Sequence, residues 1–279
     1  MENWPISLNF VAMRSLKHIR VVLSLLFFFE AVAFIVWGVS APRHSRVAFL
    51  AQVLPSSISA TMVVTAFWLV ITFLLGRVYC STVCPLGTLQ DIIIRGRCMV
   101  RRCEARFHYI DRSRRRFRRL HVIIIYIAVL IAGGTAAAAW LEPWNWFGNM
   151  LRIPRYLAAG MTFGAALAIL SAVVFLIFAL LTGREFCNTV CPVGAGMACL
   201  SKASVMHIEL DPDKCDSCLK CEELCKARCI SIKDRRIDNA SCVRCFNCVS
   251  VCPRDAIRFQ YNRNNAATPL FRSSRRTAT

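Results

Sequence analysis

Two runs of cysteines in the C-terminal part of the chain share one spacing, C-x2-C-x2-C-x3-C. The first run is Cys215, Cys218, Cys221 and Cys225, and the second is Cys242, Cys245, Cys248 and Cys252. This spacing is typical of bacterial proteins with two [4Fe–4S] clusters, in which the fourth cysteine of each run binds the cluster of the other run. It predicts one cluster on Cys215, Cys218, Cys221 and Cys252 and another on Cys242, Cys245, Cys248 and Cys225. Zinc sites usually combine cysteine pairs or mix cysteine with histidine, so we favour iron.

One position departs from the usual form of this pattern. Pro253 follows Cys252, whereas Lys226 follows Cys225, and Cys229 lies four residues after Cys225. Cys225 is the predicted ligand because it keeps the x3 spacing. Cys229 is either a substitute ligand or a free thiol close to the cluster.

A second cysteine motif occurs twice, 107 residues apart. Residues 76–87 read GRVYCSTVCPLG and residues 183–194 read GREFCNTVCPVG. Each copy follows a pair of apolar stretches, so the chain contains two copies of one unit that ends in a CxxxCP motif. We expect the duplication to bring together the four cysteines of these motifs, Cys80, Cys84, Cys187 and Cys191.

The CxxxCP cysteines allow three interpretations. Proline suits the first turn of a helix, so Cys84 and Cys191 would cap helix N-termini, where the helix dipole lowers the pKa of a thiol. Four thiolates would hold a third iron–sulfur cluster or another soft metal. Alternatively, each pair would cycle as a redox dithiol, or the cysteines would only pack the cluster-binding region against the rest of the chain.

The segments between the cysteine motifs are apolar enough to lie in a membrane. Hydrophobic residues make up 56% of the chain, and its mean hydropathy is +0.49. About 20 apolar residues cross the hydrocarbon core, and they must do so as a helix. Four stretches qualify, residues 21–40, 58–75, 122–141 and 156–181. The sequence therefore predicts a mainly α-helical membrane protein with four transmembrane helices in two repeated pairs, followed by a small α+β two-cluster ferredoxin domain.

The basic residues predict the orientation of these spans. The formal net charge is +19, and twelve arginines fall in residues 76–121, between the second and third spans. The positive-inside rule then places both termini in the cytoplasm, here of a bacterial inner membrane, where cysteines stay reduced. Cations at the membrane edge attract anionic lipid, which we expect as a partner. The sequence contains no recognisable nucleic-acid-binding module, so we expect no nucleic-acid partner.

Glu30 is the one formal charge inside a predicted span. Ionisable residues within a membrane are functional candidates by default. We predict that Glu30 handles a proton at a quinone site between the spans, near the CxxxCP motifs. The alternative is a neutral glutamic acid that is hydrogen-bonded to a neighbouring helix.

The predicted domains follow from these features. They are residues 1–20 (cytoplasmic N-terminus), 21–91 (first two-span repeat), 92–121 (arginine-rich cytoplasmic loop), 122–200 (second two-span repeat), 201–261 (ferredoxin domain) and 262–279 (disordered basic tail).

In the combination of four spans, two CxxxCP motifs and two four-cysteine runs, residues 15–260 resemble the NapH-type family of membrane-bound polyferredoxins. The stretch CKARCISIKDRRIDNASCVRCFNC is similar to a short, stand-alone form within that family. The resemblance implies electron transfer between the quinone pool and a redox partner protein, as in a quinol dehydrogenase subunit. The alternative function is an assembly or maintenance factor that reduces a metal or thiol on a partner protein through the CxxxCP cysteines.

Overall fold

The computed structural model describes residues 10–38, 62–100 and 110–261. The predicted basic tail, residues 262–279, lies outside the described residues. The helices are α1 (Phe10–Trp37), α2 (Met62–Leu75), α3 (Tyr79–Thr82), α4 (Pro85–Val100), α5 (Arg112–Ala139), α6 (Pro143–Leu151), α7 (Ile153–Ala158), α8 (Thr162–Thr182), α9 (Glu185–Thr189), α10 (Pro192–Ser201), α11 (Lys220–Glu223) and α12 (Asn247–Val251). The strands are β1 (Met206–Leu210), β2 (Ile230–Ser231), β3 (Arg236–Ile237) and β4 (Ile257–Tyr261).

Three helices in the described ranges are long and apolar enough to cross a membrane. They contain the segments Ser15–Trp37, Arg112–Gly134 and Thr162–Thr182. The described part of the predicted second span is α2, whose 14 residues extend about 21 Å at 1.5 Å per residue. The rest of that span lies outside the described residues, so a four-span protein stays a prediction.

The fourth predicted stretch, residues 156–181, is not one continuous helix. Gly160 takes a φ of +70°, a left-handed conformation that glycine adopts without steric cost. Helix α7 therefore ends at Ala158, and α8 begins at Thr162. The span is shorter than the apolar pattern predicts because a glycine breaks the backbone near its start.

The segment predicted as an arginine-rich loop, residues 92–121, is largely helical where the structure describes it. Helix α4 continues to Val100, and α5 begins at Arg112. Arg115 and Arg119 lie one turn apart on α5 and are buried, whereas the neighbouring arginines of this helix are exposed. These two arginines therefore face protein instead of lipid or solvent.

The two repeats are arranged symmetrically around the CxxxCP motifs. Helix α4, which follows the first motif, packs against α1 of its own repeat and α8 of the other. Helix α10, which follows the second motif, packs against α5 of its own repeat and α2 of the other. Each motif is thus held between a first span from its own repeat and a second apolar helix from the other.

The C-terminal domain has the expected α+β arrangement. Strands β1 and β4 pair antiparallel from Met206↔Tyr261 to Leu210↔Ile257, and β2 pairs antiparallel with β3. Between the strands, α11 and α12 carry one cysteine of each run. The backbone N–H of Val205 donates to the carbonyl of Phe73 at 2.8 Å, so this domain is joined directly to the end of α2.

Candidate functional site

The arginine of each CxxxCP motif binds the backbone of the other motif. Nη2 of Arg77 donates to the carbonyl oxygen of Cys187 at 2.8 Å, and Nη1 of Arg184 donates to the carbonyl oxygen of Cys80 at 2.8 Å. Both guanidinium groups are completely buried. Hydrogen bonds from a charged donor are stronger than neutral ones. The two arginines therefore fix the first cysteine of each motif, and each arginine acts on the motif of the other repeat.

The glycine that ends each motif is required because the carbonyl group of the first cysteine lies close to it. A Cβ atom on Gly87 would overlap the carbonyl oxygen of Cys80, and a Cβ atom on Gly194 would overlap that of Cys187. Only glycine allows the start of α4 and α10 to approach the preceding turn so closely. Sequence reasoning missed the roles of these arginines and glycines, although their presence in both copies was a signal.

The four CxxxCP cysteines lie together, and all four are buried. Cys191 caps α10, with its Sγ accepting from the backbone N–H of Gly194 at 3.4 Å. Burial raises the pKa of Cys187 to about 12 and raises those of Cys84 and Cys191, and the charges of the neighbouring cysteines add to these increases. The predicted lowering of the thiol pKa at the helix N-termini is therefore wrong, because desolvation outweighs the dipole.

The ferredoxin domain brings the cysteines of each crossed set to its own narrow cavity. Cys215, Cys218, Cys221 and Cys252 line the first. Cys225, Cys242, Cys245 and Cys248 line the second, which Cys229 also borders. Four thiols around an enclosed cavity suit an iron–sulfur cluster, which cysteine thiolates bind. In the described ranges, no three His, Cys, Asp or Glu side chains are grouped so as to hold a single metal ion.

The two cysteine runs have the same backbone conformation. Positive φ angles occur at Ser217 and Leu219 in the first run and, 27 residues later, at Arg244 and Phe246 in the second. Non-glycine residues adopt this conformation rarely and at an energetic cost. Its recurrence at matched positions indicates that both loops are shaped for the same kind of ligand.

This internal symmetry distinguishes Cys225 from Cys229. The backbone N–H of Ala256 donates to Sγ of Cys252 at 3.3 Å, and that of Cys229 donates to Sγ of Cys225 at 3.5 Å. Cys229 thus occupies the position that corresponds to Ala256, while Cys225 corresponds to Cys252. The Sγ atoms of Cys225 and Cys229 are 3.5 Å apart, so Cys229 is an extra thiol beside the second set.

Asp91 joins the CxxxCP motifs to the ferredoxin domain. Its carboxylate lies 2.8 Å from Nε of Arg184, 3.2 Å from Nζ of Lys226 and 3.4 Å from Nη1 of Arg20. Burial alone would raise its pKa, but the charges of Arg184 and Lys226 hold the pKa of Asp91 well below its ordinary value. Lys226 stands where Pro253 stands in the second run, so this departure from the cysteine pattern supplies a contact between domains.

A second charged contact holds the other side of the same interface. Arg115 forms a bidentate pair with Glu185, with distances of 3.1 and 2.7 Å, and also donates to the carbonyl of Ala227. Nη2 of Arg119 donates to Oγ of Ser241 at 2.6 Å. The ferredoxin domain is therefore also fixed by two buried arginines of α5.

Glu30 lies apart from these groups. It is half-buried within α1, and it does not line the cavities described for the two cysteine sets.

Comparisons with protein families match the two repeats and the second cysteine run. A family model described as a 4Fe-4S binding domain matches residues 59–102 and again residues 165–210. A second model with the same description matches residues 235–258. The two matches of the first model cover both CxxxCP motifs, in agreement with the duplication in the sequence.

Curated proteins include several relatives. An uncharacterized protein of Methanocaldococcus jannaschii is 28% identical over 259 residues, which is 92% of either chain. The protein YccM of Escherichia coli, named a "putative electron transport protein", is 28% identical over 72% of this chain and 55% of its own length. The ferredoxin-type protein NapH of Haemophilus influenzae is 26% identical over 79% of this chain and 74% of its own. No solved structure gives a significant match.

Proposed function

Because the chain belongs to the NapH-type family of ferredoxin-type proteins, we propose that it relays electrons between the membrane quinone pool and a redox partner protein. Iron–sulfur electron transfer is the function common to the relatives named for electron transport and to the matched 4Fe-4S domains. The quinone and the partner protein are the parts of the relay that we add.

The observation that carries this proposal is the pair of cavities lined by the crossed cysteine sets. Cys215, Cys218, Cys221 and Cys252 would hold one [4Fe–4S] cluster, and Cys242, Cys245, Cys248 and Cys225 would hold the other. Each cluster takes up and releases one electron. Two such clusters together match the two electrons that separate a quinol from a quinone.

Between the two kinds of metal site, we assign the CxxxCP cysteines to a third iron–sulfur cluster, because no three of them are grouped to hold a single metal ion in the described ranges. Cys80, Cys84, Cys187 and Cys191 are buried together, and the region around them matches a 4Fe-4S model twice. Exchange with a partner's disulfide requires an accessible thiolate. Burial of all four thiols therefore disfavours both redox cycling with a partner and the alternative function as an assembly factor that acts through them.

The proposed location is a bacterial inner membrane with both termini in the cytoplasm. The three long apolar helices support a membrane protein, and the arginines of residues 76–121, half of which lie in the first turns of α5, support the orientation through the positive-inside rule. The exposed arginines of α5 are the residues that would contact anionic lipid. The buried Arg115 and Arg119 are not available for that role.

Glu30 remains a proposed proton carrier for the quinone reaction. If it has this role, Glu30→Gln will slow quinone-linked reduction or oxidation of the clusters, while their iron content stays unchanged. Equal rates in the variant and the wild type would remove Glu30 from the proposal.

Electron paramagnetic resonance of the full-length protein, purified without oxygen and reduced with dithionite, tests the relay. A menaquinone analogue is added to the reduced protein, and the reduced-cluster signals should disappear within seconds. Signals that persist with the quinone, yet disappear with ferricyanide, would show that quinone is not a direct partner.

Iron content tests the ligand assignments separately from activity. Cys218→Ser and Cys245→Ser should each remove one cluster's worth of iron, and Cys187→Ser should remove the iron of the third site. Cys199→Ser is the matched control, because Cys199 is exposed and belongs to none of the three cysteine sets. Iron content that Cys187→Ser leaves unchanged would refute the third site.

A further inference from the structure

A cavity of about 760 Å³ lies where α1 and α4 meet the ferredoxin domain. Its volume is within the range of small-molecule sites. One wall is formed by apolar side chains such as Leu25 and Ile92, which also reach the outer surface of their helices. Its polar end is formed by side chains of the ferredoxin domain, including Lys226 and Asn247, and of the helices, including Arg20 and Asp91. The cavity therefore offers both an apolar side and a polar end, and Leu224 and Val251 add apolar groups from the ferredoxin domain.

The polar end adjoins the second set of cluster cysteines. Lys226 directly follows Cys225, and Asn247 directly precedes Cys248. A molecule in the cavity would therefore touch residues that are neighbours in sequence of two proposed ligands. Such proximity suits a molecule that exchanges electrons with that cluster.

The same end offers hydrogen-bond donors. Arg20 is 7% exposed, and its Nε has no hydrogen-bond partner among the residues that the structure describes. Its Nη1 is used, donating to the carbonyl of Ser81 at 3.1 Å. That buried Nε is shielded from the cavity, but Arg20 and Lys226 both line it, so their other N–H groups are the donors that a ligand would reach.

The charges at this end favour a neutral acceptor over a phosphate. Arg20 and Lys226 face the carboxylate of Asp91 at 3.4 and 3.2 Å. With the second cluster bound, its thiolates and iron would add about two negative charges nearby. The lining as a whole has five cations, Lys17, Arg20, Arg95, Lys220 and Lys226, and two carboxylates, Asp91 and Glu223. The carboxylates and the cluster would together offset about four of these five charges, and the cations would remain able to donate hydrogen bonds to a carbonyl oxygen.

We propose that this cavity binds an isoprenoid quinone, with its carbonyl-bearing ring at Arg20 and Lys226 and its apolar tail along Leu25 and Ile92. The inference rests on the proposed function and gives the quinone a site on the ferredoxin side of α1. It also gives Lys226 a second role, because proline at this position would provide no amine for the ring. Glu30 does not line this cavity, so its proton role is a separate proposal with its own test.

Photolabelling tests this site. Full-length, cluster-loaded protein in lipid nanodiscs is illuminated with an azido-menaquinone analogue, and the labelled peptides are mapped by mass spectrometry. Label should fall on the cavity-lining parts of α1 and α4. Leu25→Trp should fill the apolar side and weaken binding about tenfold, equivalent to about 1.4 kcal/mol.

Leu26→Trp is the matched control. Leu26 is the next residue of α1 and is 57% exposed, but it does not line the cavity. It should label like the wild type, and the two variants should have the same thermal stability and iron content. Equal labelling of both variants, or label on peptides outside the cavity, would overturn the proposal.

Two further readouts separate the site from the relay. If excess phosphatidylglycerol displaces the probe but unlabelled menaquinone does not, the cavity is a lipid site and the proposal is wrong. If quinone oxidises the clusters of Leu25→Trp at the same rate as those of the wild type, the proposed location is wrong while the relay stands. If quinone neither labels the wild type nor oxidises its clusters, both fail.

Discussion

Replacing Gly194 with alanine should disturb the CxxxCP cysteines through one added methyl group. Its Cβ would overlap the carbonyl oxygen of Cys187 and lie 2.9 Å from Nη2 of Arg77. Both atoms belong to the hydrogen bond that joins the repeats. Neither can move freely, because one is backbone and the other belongs to a completely buried side chain.

The magnitude follows from a comparison within α10. Overpacking of a well-packed core costs about 1–3 kcal/mol. Alanine also favours a helix over glycine by up to about 1 kcal/mol. Gly196 lies two residues further along α10 with nothing within 4 Å of its added Cβ. Both variants gain the helix propensity of alanine, so this gain largely cancels between them. Gly194→Ala should therefore be about 1–3 kcal/mol less stable than Gly196→Ala.

Two assays measure this difference. Unfolding of the purified variants in detergent, followed by tryptophan fluorescence, gives their relative stability. Alkylation of Cys187, followed by mass spectrometry, reports whether the displaced backbone opens the cysteine site, since this thiol is 4% exposed. If Gly194→Ala is as stable as Gly196→Ala and Cys187 is equally protected, the proposed close approach is wrong.

Three other predictions concern buried polar groups. Arg115→Leu should destabilise the protein by about 3–5 kcal/mol, because it leaves the charge of Glu185 buried without its partner, and unfolding of the double variant with Glu185→Leu should recover most of the loss. Cys229→Ala should leave the iron content unchanged and alter only the reduction potential of one cluster, whereas Cys225→Ser should lose a cluster; iron loss in Cys229→Ala would refute this assignment. Burial lowers the pKa of His207 from 6.5 to about 4, so its neutral form is favoured in the fold. The contribution of His207 to the free energy of unfolding is fully present above pH 6.5 and falls by at most about 3 kcal/mol as the pH drops to 4; unfolding of His207→Gln at several pH values should show a smaller loss, and an unchanged slope would contradict this reasoning.

Spacing and repetition in the sequence were sufficient to predict which cysteines lie together. The x2 loops keep three cysteines of each run close together, and the constant 27-residue offset shows that the two runs are equivalent. The repeated CxxxCP motif likewise predicts two equivalent cysteine pairs. These features are local or periodic, so they can be recognised without knowledge of the packing.

The contacts that position the cysteines depend on tertiary structure and were not predicted. Asp91 follows the first motif in an ordinary helical sequence, and its three cationic partners come from α1, the second motif and the ferredoxin domain. The raised thiol pKa values have the same origin, since a helix N-terminus can be recognised in sequence but complete burial cannot. Similarly, the run of arginines at the start of α5 does not reveal that Arg115 and Arg119 face inward.

The exchange of arginines between the two motifs has a consequence for how the protein assembles. During synthesis, the first repeat emerges with the carbonyl of Cys80 lacking the donor that Arg184 provides. Neither repeat can complete its own cysteine site, so the site forms only after both halves have been inserted. A chain with a single repeat would have to associate with a second copy of itself, related by twofold symmetry, to make the same bonds. The duplicated chain contains both halves of such a dimer in one polypeptide, so the halves are always made in equal amounts. The residues around the two cysteine pairs can then differ, although both pairs contribute to one site.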